Sequence, residues 1–156
     1  MKKGLIALLS FFLIFSSFAL AEDIPGKGMF YEYEDFEAEI TGTYLYSEAG
    51  QDYILIAVHW KNLYSEPLSF VYTFFGHVYQ DGIEVPFSPV GAFDMKGITN
   101  ILPGAELDSY TSYEINGDGE VFISLRAFGD MLKETDPIEY TVIPSELPIF
   151  DISMAP

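Results

Sequence analysis

Apolar and polar residues alternate along much of the chain with a period of two. The clearest stretch has Ile54, Ile56, Val58 and Trp60 on one face of an extended chain. Such a period is typical of a half-buried strand, whereas a helix repeats about every 3.6 residues. The pattern therefore predicts a central β-strand over Asp52–Asn62.

The same composition recurs in short segments between turn signals. Strands are predicted at Asp35–Tyr44, Asp52–Asn62, Leu68–Gln80, Ile83–Pro86, Ala105–Ile115, Val121–Ala127 and Ile138–Ile143. We interpret Asn116–Gly119 as a hairpin turn, Phe87–Pro103 as a loop with a short edge strand, and Gly129–Thr135 as one helical turn. Strands about every ten residues, without a long helix, predict an all-β, antiparallel immunoglobulin-like β-sandwich of about seven strands.

The N-terminus reads as an export signal. Basic Lys2 and Lys3 precede an apolar run over Leu5–Phe18, and Ala19-Leu20-Ala21 forms a small-residue cleavage site. The run is short for a bilayer-spanning helix, so we predict a cleaved signal peptide at residues 1–21 and a secreted protein without integral membrane association. The remaining chain is divided into a leader (22–34), the sandwich (35–143) and a tail (144–156) whose apolar residues are predicted to dock.

Charge and cysteine content limit the classes of partner and the ways in which the fold can be stabilised. The chain has 24 acidic and seven basic residues, a formal charge of −17, and it contains no Cys. Such an acidic surface repels nucleic acids and anionic lipids, which argues against nucleic-acid binding. Without disulfides, a secreted domain must rely on its apolar core. Together with the short Lys-Lys signal, this suggests a bacterial source.

One stretch has the ligand types of a metal site. Glu114, Asn116, Asp118 and Glu120 place oxygen ligands at alternate positions, as in the calcium loop of an EF-hand. However, Leu125 stands at the twelfth position, where that loop needs a bidentate Glu, and both flanks read as strands. We therefore predict an ordinary turn and no cofactor, and keep calcium binding as the alternative.

No catalytic set emerges from the sequence. It has neither a G-x-S-x-G motif nor a Cys nucleophile. His59 and His77 are too few ligands for a zinc site, and we predict that each is separately hydrogen-bonded. Among so many acids, pairs of carboxylates arise by chance. We therefore predict that the protein is not an enzyme and has no catalytic residues, with a carboxylate-based hydrolase as a weaker alternative.

Several short motifs resemble a known family. They are Val58-His59-Trp60-Lys61-Asn62, the turn Tyr79-Gln80-Asp81-Gly82, Pro103-Gly104 before a strand, and Tyr113 near that strand's end. Over Phe36 to Ala127 the chain resembles the secreted immunoglobulin-like family of Gram-positive bacteria known as domain-of-unknown-function family 5067. The resemblance implies an immunoglobulin-type sandwich with a non-enzymatic extracellular role, and it assigns no catalytic residues.

These observations lead to a functional prediction. We expect a secreted, non-catalytic immunoglobulin-like module that binds a protein or a cell-envelope component. A calcium-dependent extracellular surface protein is the alternative. The many Tyr residues suit a recognition surface, although strands also favour Tyr. The sequence defines neither the partner nor whether Phe87–Pro103 covers a pocket.

Overall fold

Two antiparallel β-sheets packed face to face form the body of the protein. The computed structural model describes residues 24–33, 35–90, 95–129, 133–134 and 136–154, so the predicted signal peptide (1–21) lies outside them. The described strands are β1 (Phe30–Glu32), β2 (Phe36–Glu48), β3 (Gln51–Asn62), β4 (Leu68–Ser69), β5 (Phe74–Gln80), β6 (Ile83–Val85), β7 (Asn100–Ile101), β8 (Glu106–Ile115), β9 (Val121–Gly129), β10 (Lys133–Glu134) and β11 (Ile138–Val142). Helical turns are α1 (Phe70–Thr73) and three 3-10 turns, at Met95–Ile98, Pro144–Glu146 and Ile152–Met154.

The strand order confirms the predicted sandwich. The first sheet has the order β1-β2-β3-β8, and the second has the order β10-β9-β5-β6, with β11 also paired to β9. Strands β4 and β7 form a small separate ribbon. All strand pairs within the sheets are antiparallel, as in an immunoglobulin-like sandwich.

The predicted strand Leu68–Gln80 is wrong as a single element. It divides into β4, the helical turn α1 and β5, and the Thr73 hydroxyl lies within hydrogen-bonding distance of the Ser69 and Phe70 carbonyl oxygens (3.1 and 3.0 Å). This turn carries the chain across the sandwich. As a result, β3 and β5 lie in different sheets and do not pair.

The predicted hairpin at Asn116–Gly119 also needs correction. The turn is present, with Gly117 at a φ of 72°, but β8 pairs with β3 whereas β9 pairs with β5. The segment therefore connects the two sheets. Gln80 holds it in place: its side-chain oxygen accepts a hydrogen bond from the Asn116 N–H (2.8 Å).

Two further predicted segments are described in part. The leader (22–34) contributes β1, which pairs with β2 through partners such as Tyr31 and Ala38. Of the predicted helical turn at Gly129–Thr135, the structure describes Gly129, which ends β9, and Lys133–Glu134, which form β10 paired with the end of β9; the other residues lie outside the described ranges. In the part of the chain that the structure describes, no helix is both long and apolar enough to cross a bilayer.

The main core lies between the inner faces of the sheets. Trp60, Phe36, Ile54 and Leu125 are among its fully buried side chains. A register shift between Ile40 and Gly42 of β2 interrupts the alternation. Because one extra residue there reverses which side chains face inward, the positions after the shift have the opposite parity.

A second apolar cluster lies on the outer face of the first sheet. Tyr44, Leu55 and Tyr110 contribute to it from three strands, and Phe150 from the C-terminal tail covers them. The tail is held by backbone bonds: Leu45 N–H donates to the Pro148 carbonyl (3.0 Å), and Phe150 N–H donates to the Leu45 carbonyl (2.8 Å). The predicted docking of the tail is thus confirmed for Leu147 and Phe150, whereas Ile149 and Ile152 stay exposed.

Asn62 fixes the bend at the end of β3 through its side-chain hydrogen bonds. Its amide group donates to the carbonyls of Glu66 and Ile101 (both 3.0 Å), and its oxygen accepts from the Tyr64 N–H (2.9 Å). Asn62 is fully buried. Its hydrogen-bonding capacity is used by the fold, so we assign it a structural role.

Tyr140 should make stability fall at alkaline pH. Burial raises the pKa of this phenol, although its 2.8 Å hydrogen bond with Thr43 opposes the shift. An unfolded tyrosine ionises near pH ~10 while the folded one stays neutral, so the free energy of unfolding declines above that pH. Urea denaturation across this range should give a shallower decline for Tyr140→Phe, with some slope left from Tyr46 and Tyr110, whose pKa values burial also raises. Equal slopes would contradict this assignment.

Candidate functional site

A groove runs over the outer face of the second sheet. We call it the outer groove; its volume is about 630 Å³. Strands β5, β9 and β11 supply its floor because alternate residues of each point away from the core. Its lining residues are His77, Tyr79, Asp81, Gly82, Glu120, Phe122, Ser124, Arg126, Glu139 and Thr141.

Strand register brings two aromatic side chains together in the outer groove. Tyr79 and Phe122 are directly opposite on β5 and β9, with ring centroids 6.2 Å apart and planes inclined by 37°. Phe122 is 37% exposed. Cross-strand aromatic pairs stabilise a sheet, but an exposed pair within a groove also offers an apolar surface to a partner.

Carboxylates outnumber basic groups in the outer groove. The described lining residues include three carboxylates, of Asp81, Glu120 and Glu139, and one guanidinium, of Arg126. At the margin, His77 Nδ1 lies 2.6 Å from a Glu84 carboxylate oxygen. The groove therefore combines an aromatic centre with a net negative rim.

The Ser124 hydroxyl lies in the same groove and is already bonded. It donates to the Glu139 carboxylate at 3.2 Å. His77 lies directly opposite Ser124 on the paired strands, and its Nδ1 is 2.6 Å from a Glu84 carboxylate oxygen. Ser124, His77 and Glu139 therefore supply polar groups to the floor of the groove.

The four calcium candidates do not converge as the sequence pattern required. Glu114 lies on β8 in the first sheet, whereas Glu120 lines the outer groove on the second. Asp118 is bonded by the N–H and the hydroxyl of Ser145 (both 2.6 Å), which tie the inter-sheet turn to the chain after β11. Among the described residues, no three His, Cys, Asp or Glu side chains come together as a metal site.

His59 and His77 lie on opposite outer faces of the sandwich, so they cannot share a ligand. His59 Nδ1 is 2.7 Å from an Asp108 oxygen, and its Nε2 is 3.5 Å from Glu106. His77 is bonded to Glu84. The prediction of two separately hydrogen-bonded histidines is confirmed.

A second cavity lies at the opening between the sheets. We call it the inter-sheet pocket; its volume is about 390 Å³. Its walls come from α1, β5 and β8, and Phe87, Pro89, Gly97 and Ile98 close it from the irregular segment. The described residues of Phe87–Pro103 therefore supply walls of a pocket, a point that the sequence left open.

Sequence reasoning found neither site. The outer groove uses outward positions of strands that were predicted, but Tyr79 and Phe122 are distant in the chain. The available signal was an aromatic residue at a solvent-facing position in each strand. Only the pairing of β5 with β9 shows that they meet.

Comparisons with known proteins support the fold. No family model and no curated protein matches the chain, so the resemblance to family 5067 stays a prediction. A "putative lipoprotein" from Staphylococcus aureus subsp. aureus NCTC 8325 is similar in structure, with a TM-score of 0.61, 18% identity, and coverage of 83% of this chain and 99% of that chain. An uncharacterized β-sandwich protein from Clostridium difficile 630 has a TM-score of 0.58, 17% identity, and coverage of 74% and 91%.

A third solved structure is more distant. It is YcdA, a "putative lipoprotein" from Bacillus subtilis subsp. subtilis str. 168, with a TM-score of 0.50 and 12% identity. The match covers 76% of this chain and 39% of that chain. At these identities the likeness shows the fold alone. This chain has a β-sandwich architecture that also occurs in the three bacterial proteins named above.

Proposed function

We propose that this protein is a non-catalytic recognition module of the extracellular space or cell envelope, and that it binds a basic segment of a partner protein in the outer groove. The observation that carries the proposal is the Phe122–Tyr79 pair, in which Phe122 is exposed and Tyr79 half-buried, among the carboxylates that line the groove. The apolar pair supplies contact area, and the rim supplies charge complementarity.

The aromatic pair suits Lys and Arg side chains. A cation over an aromatic face is attracted by the ring quadrupole, and the alkyl stem of Lys or Arg packs against the same ring. Phe122 presents its ring at the groove surface while Tyr79 supports it from the neighbouring strand. One basic side chain could therefore contact both a ring and a carboxylate.

The charge of the whole chain favours the same class of partner. A formal charge of −17 creates a field that attracts cationic surfaces and repels anionic ones. Within the groove, Asp81, Glu120 and Glu139 add local pairing groups. A neutral glycan could stack on Phe122, but it would leave this excess of carboxylates without a role in recognition.

Placement at the cell envelope or outside the cell rests on two supports. The N-terminal pattern predicts export, and two structural neighbours are each described as a "putative lipoprotein". The non-catalytic role follows from the sequence prediction, which rests on the lack of a G-x-S-x-G motif and of Cys. We propose the outer groove as a contact surface on these grounds.

Fluorescence anisotropy with a labelled peptide of alternating Arg and Ser residues tests the proposal. We expect saturable binding that weakens as salt is added, because exposed charges are screened. Phe122→Ala should weaken it about tenfold or more, the usual effect of losing an aromatic anchor. The double variant Glu120→Gln/Glu139→Gln should weaken it and flatten its salt dependence.

Matched controls separate the groove from general acidity. Glu32→Gln/Glu39→Gln makes the same charge change at exposed positions of the first sheet, and Tyr72→Ala removes an aromatic ring that is 79% exposed elsewhere. Both should bind like the unmodified protein. If these controls lose as much affinity as the groove variants, the assignment is wrong. Salt-independent binding of a neutral glucan oligosaccharide, lost in Phe122→Ala, would point to a glycan instead, and cleavage of either probe would overturn the non-catalytic role.

A further inference from the structure

The inter-sheet pocket is almost entirely apolar. Rings of Phe70, Phe74 and Phe75 line the side formed by α1 and β5, and Tyr113 lines the side formed by β8. The pocket shares no lining residue with the outer groove. It is therefore a separate site whose chemistry calls for a different ligand.

Few polar groups are available inside this pocket. The Tyr113 hydroxyl is already used, donating to the Gly76 carbonyl at 3.2 Å, and burial raises the pKa of Tyr110, which keeps that phenol neutral. Among the described lining residues, Thr111 is the remaining one with a hydroxyl, and none is charged. A peptide segment entering here would lose hydrogen bonds to water without replacement, which is costly, whereas a hydrocarbon chain would not.

The pocket is also larger than one aromatic side chain needs. A cavity of about 150 Å³ is enough to hold benzene, and this one measures about 390 Å³. Its walls are held in place. Ser88 N–H donates to the Ser112 carbonyl (2.9 Å), and the Ser112 hydroxyl donates back to the Ser88 carbonyl (2.7 Å). These bonds fix the Phe87 side of the pocket against β8.

Glycine keeps one wall open. A Cβ on Gly76 would lie 2.5 Å from the Tyr113 hydroxyl oxygen, so a larger residue at this position would displace the Tyr113 ring that forms part of the wall. At the mouth, Val71, Phe87 and Ile98 are 40%, 48% and 57% exposed. Large apolar side chains around an opening are typical of a ligand site whose occupant extends toward solvent.

From this geometry we infer that the inter-sheet pocket binds the hydrocarbon chain of a single-chain amphiphile, with its polar head outside the mouth. The pocket gives the chain an apolar environment, and the rim of Val71, Phe87 and Ile98 covers the methylenes nearest the head. This goes beyond the proposed function and does not depend on the outer groove.

Titration calorimetry with alkanoates below their critical micelle concentrations tests the inference. Affinity should rise roughly threefold to fourfold for each methylene added between hexanoate and dodecanoate, since each buried methylene is transferred from water. Dodecylamine and monolauroylglycerol carry the same chain on other heads. Similar affinities for the three would show that the chain is recognised, and a preference for one would identify the head.

A blocking variant locates the binding site. Val71→Trp places a large ring at the mouth and should weaken dodecanoate binding at least tenfold, whereas Ile83→Trp, at a position that is 73% exposed and outside the pocket, should leave it unchanged. Amide chemical shifts of the unmodified protein should move at Thr111 and Gly76 on titration, a readout that needs no variant. The inference would be overturned if no saturable binding were seen, or if affinity did not depend on chain length. It would also be overturned if both variants lost affinity equally, or if the protein bound N-acetyltryptophanamide but not the alkyl probes.

Discussion

Replacing Phe150 with Ala should lower the free energy of unfolding by about 3 kcal/mol, the usual cost of deleting a buried Phe ring. Phe150 is 5% exposed and makes edge-on contacts with Tyr44, Tyr46 and Tyr110, at centroid distances of 5.6, 6.1 and 5.4 Å. Removing the ring would uncover apolar surface on three strands of the first sheet. Urea denaturation followed by circular dichroism measures the loss.

The neighbouring residue supplies a matched control. Ile149 belongs to the same docked segment but is 76% exposed, so Ile149→Ala should change the free energy by no more than about 0.5 kcal/mol. Both variants keep the backbone bonds of the tail. A difference between their free energies of unfolding therefore measures the contribution of the Phe150 ring. Equal losses would show that the tail is held by its backbone and that the aromatic cluster adds little.

Trp60→Ala should cost about 4 kcal/mol, because it leaves a large cavity between the sheets. Trp60 is fully buried and packs edge-on against Phe70 at 6.4 Å. Within the described part of the chain, its Nε1 has no hydrogen-bond partner. Trp60 therefore stabilises the fold through its area, as its place in the sequence pattern predicted, rather than through its N–H group.

A second substitution separates area from hydrogen bonding. Trp60→Phe keeps most of the ring area and removes an unpaired buried donor, so it should cost only about 1–2 kcal/mol. Circular dichroism is the suitable readout because this is the only Trp of the chain, and its fluorescence disappears in both variants. If the Phe variant is as unstable as the Ala variant, a specific contact of the indole has to be responsible.

The period of two predicted the longer strands because each buries one face. The pattern failed at the bulge in β2, where one extra residue reverses which face of the sheet the following side chains occupy. Before the bulge, Ala38 and Ile40 face the main core; beyond it, Tyr44 faces the outer cluster, although an unbroken period would put it inside with Ile40. The local signal was Gly42, since glycine within a strand often marks a bulge.

Sheet membership could not be read from local pattern. Asn116–Gly119 has the residues of a tight turn, and a hairpin is the commonest use of such residues. Whether the flanking strands pair with each other depends instead on distant contacts, such as the bond between Gln80 and Asn116. The outer groove has the same origin, since Tyr79 and Phe122 meet only through the register of β5 and β9.

The outer edge of β2 is covered from both ends of the sequence. The short strand β1 pairs with its first part in the antiparallel direction, and the tail lies beside Leu45 in the parallel direction. An open strand edge is a template on which strands of other molecules can add. By occupying it, the two segments leave less of this edge open to such addition. Removing the tail would free the Leu45 N–H and carbonyl from their bonds to Pro148 and Phe150, and this part of the edge would become available to an added strand.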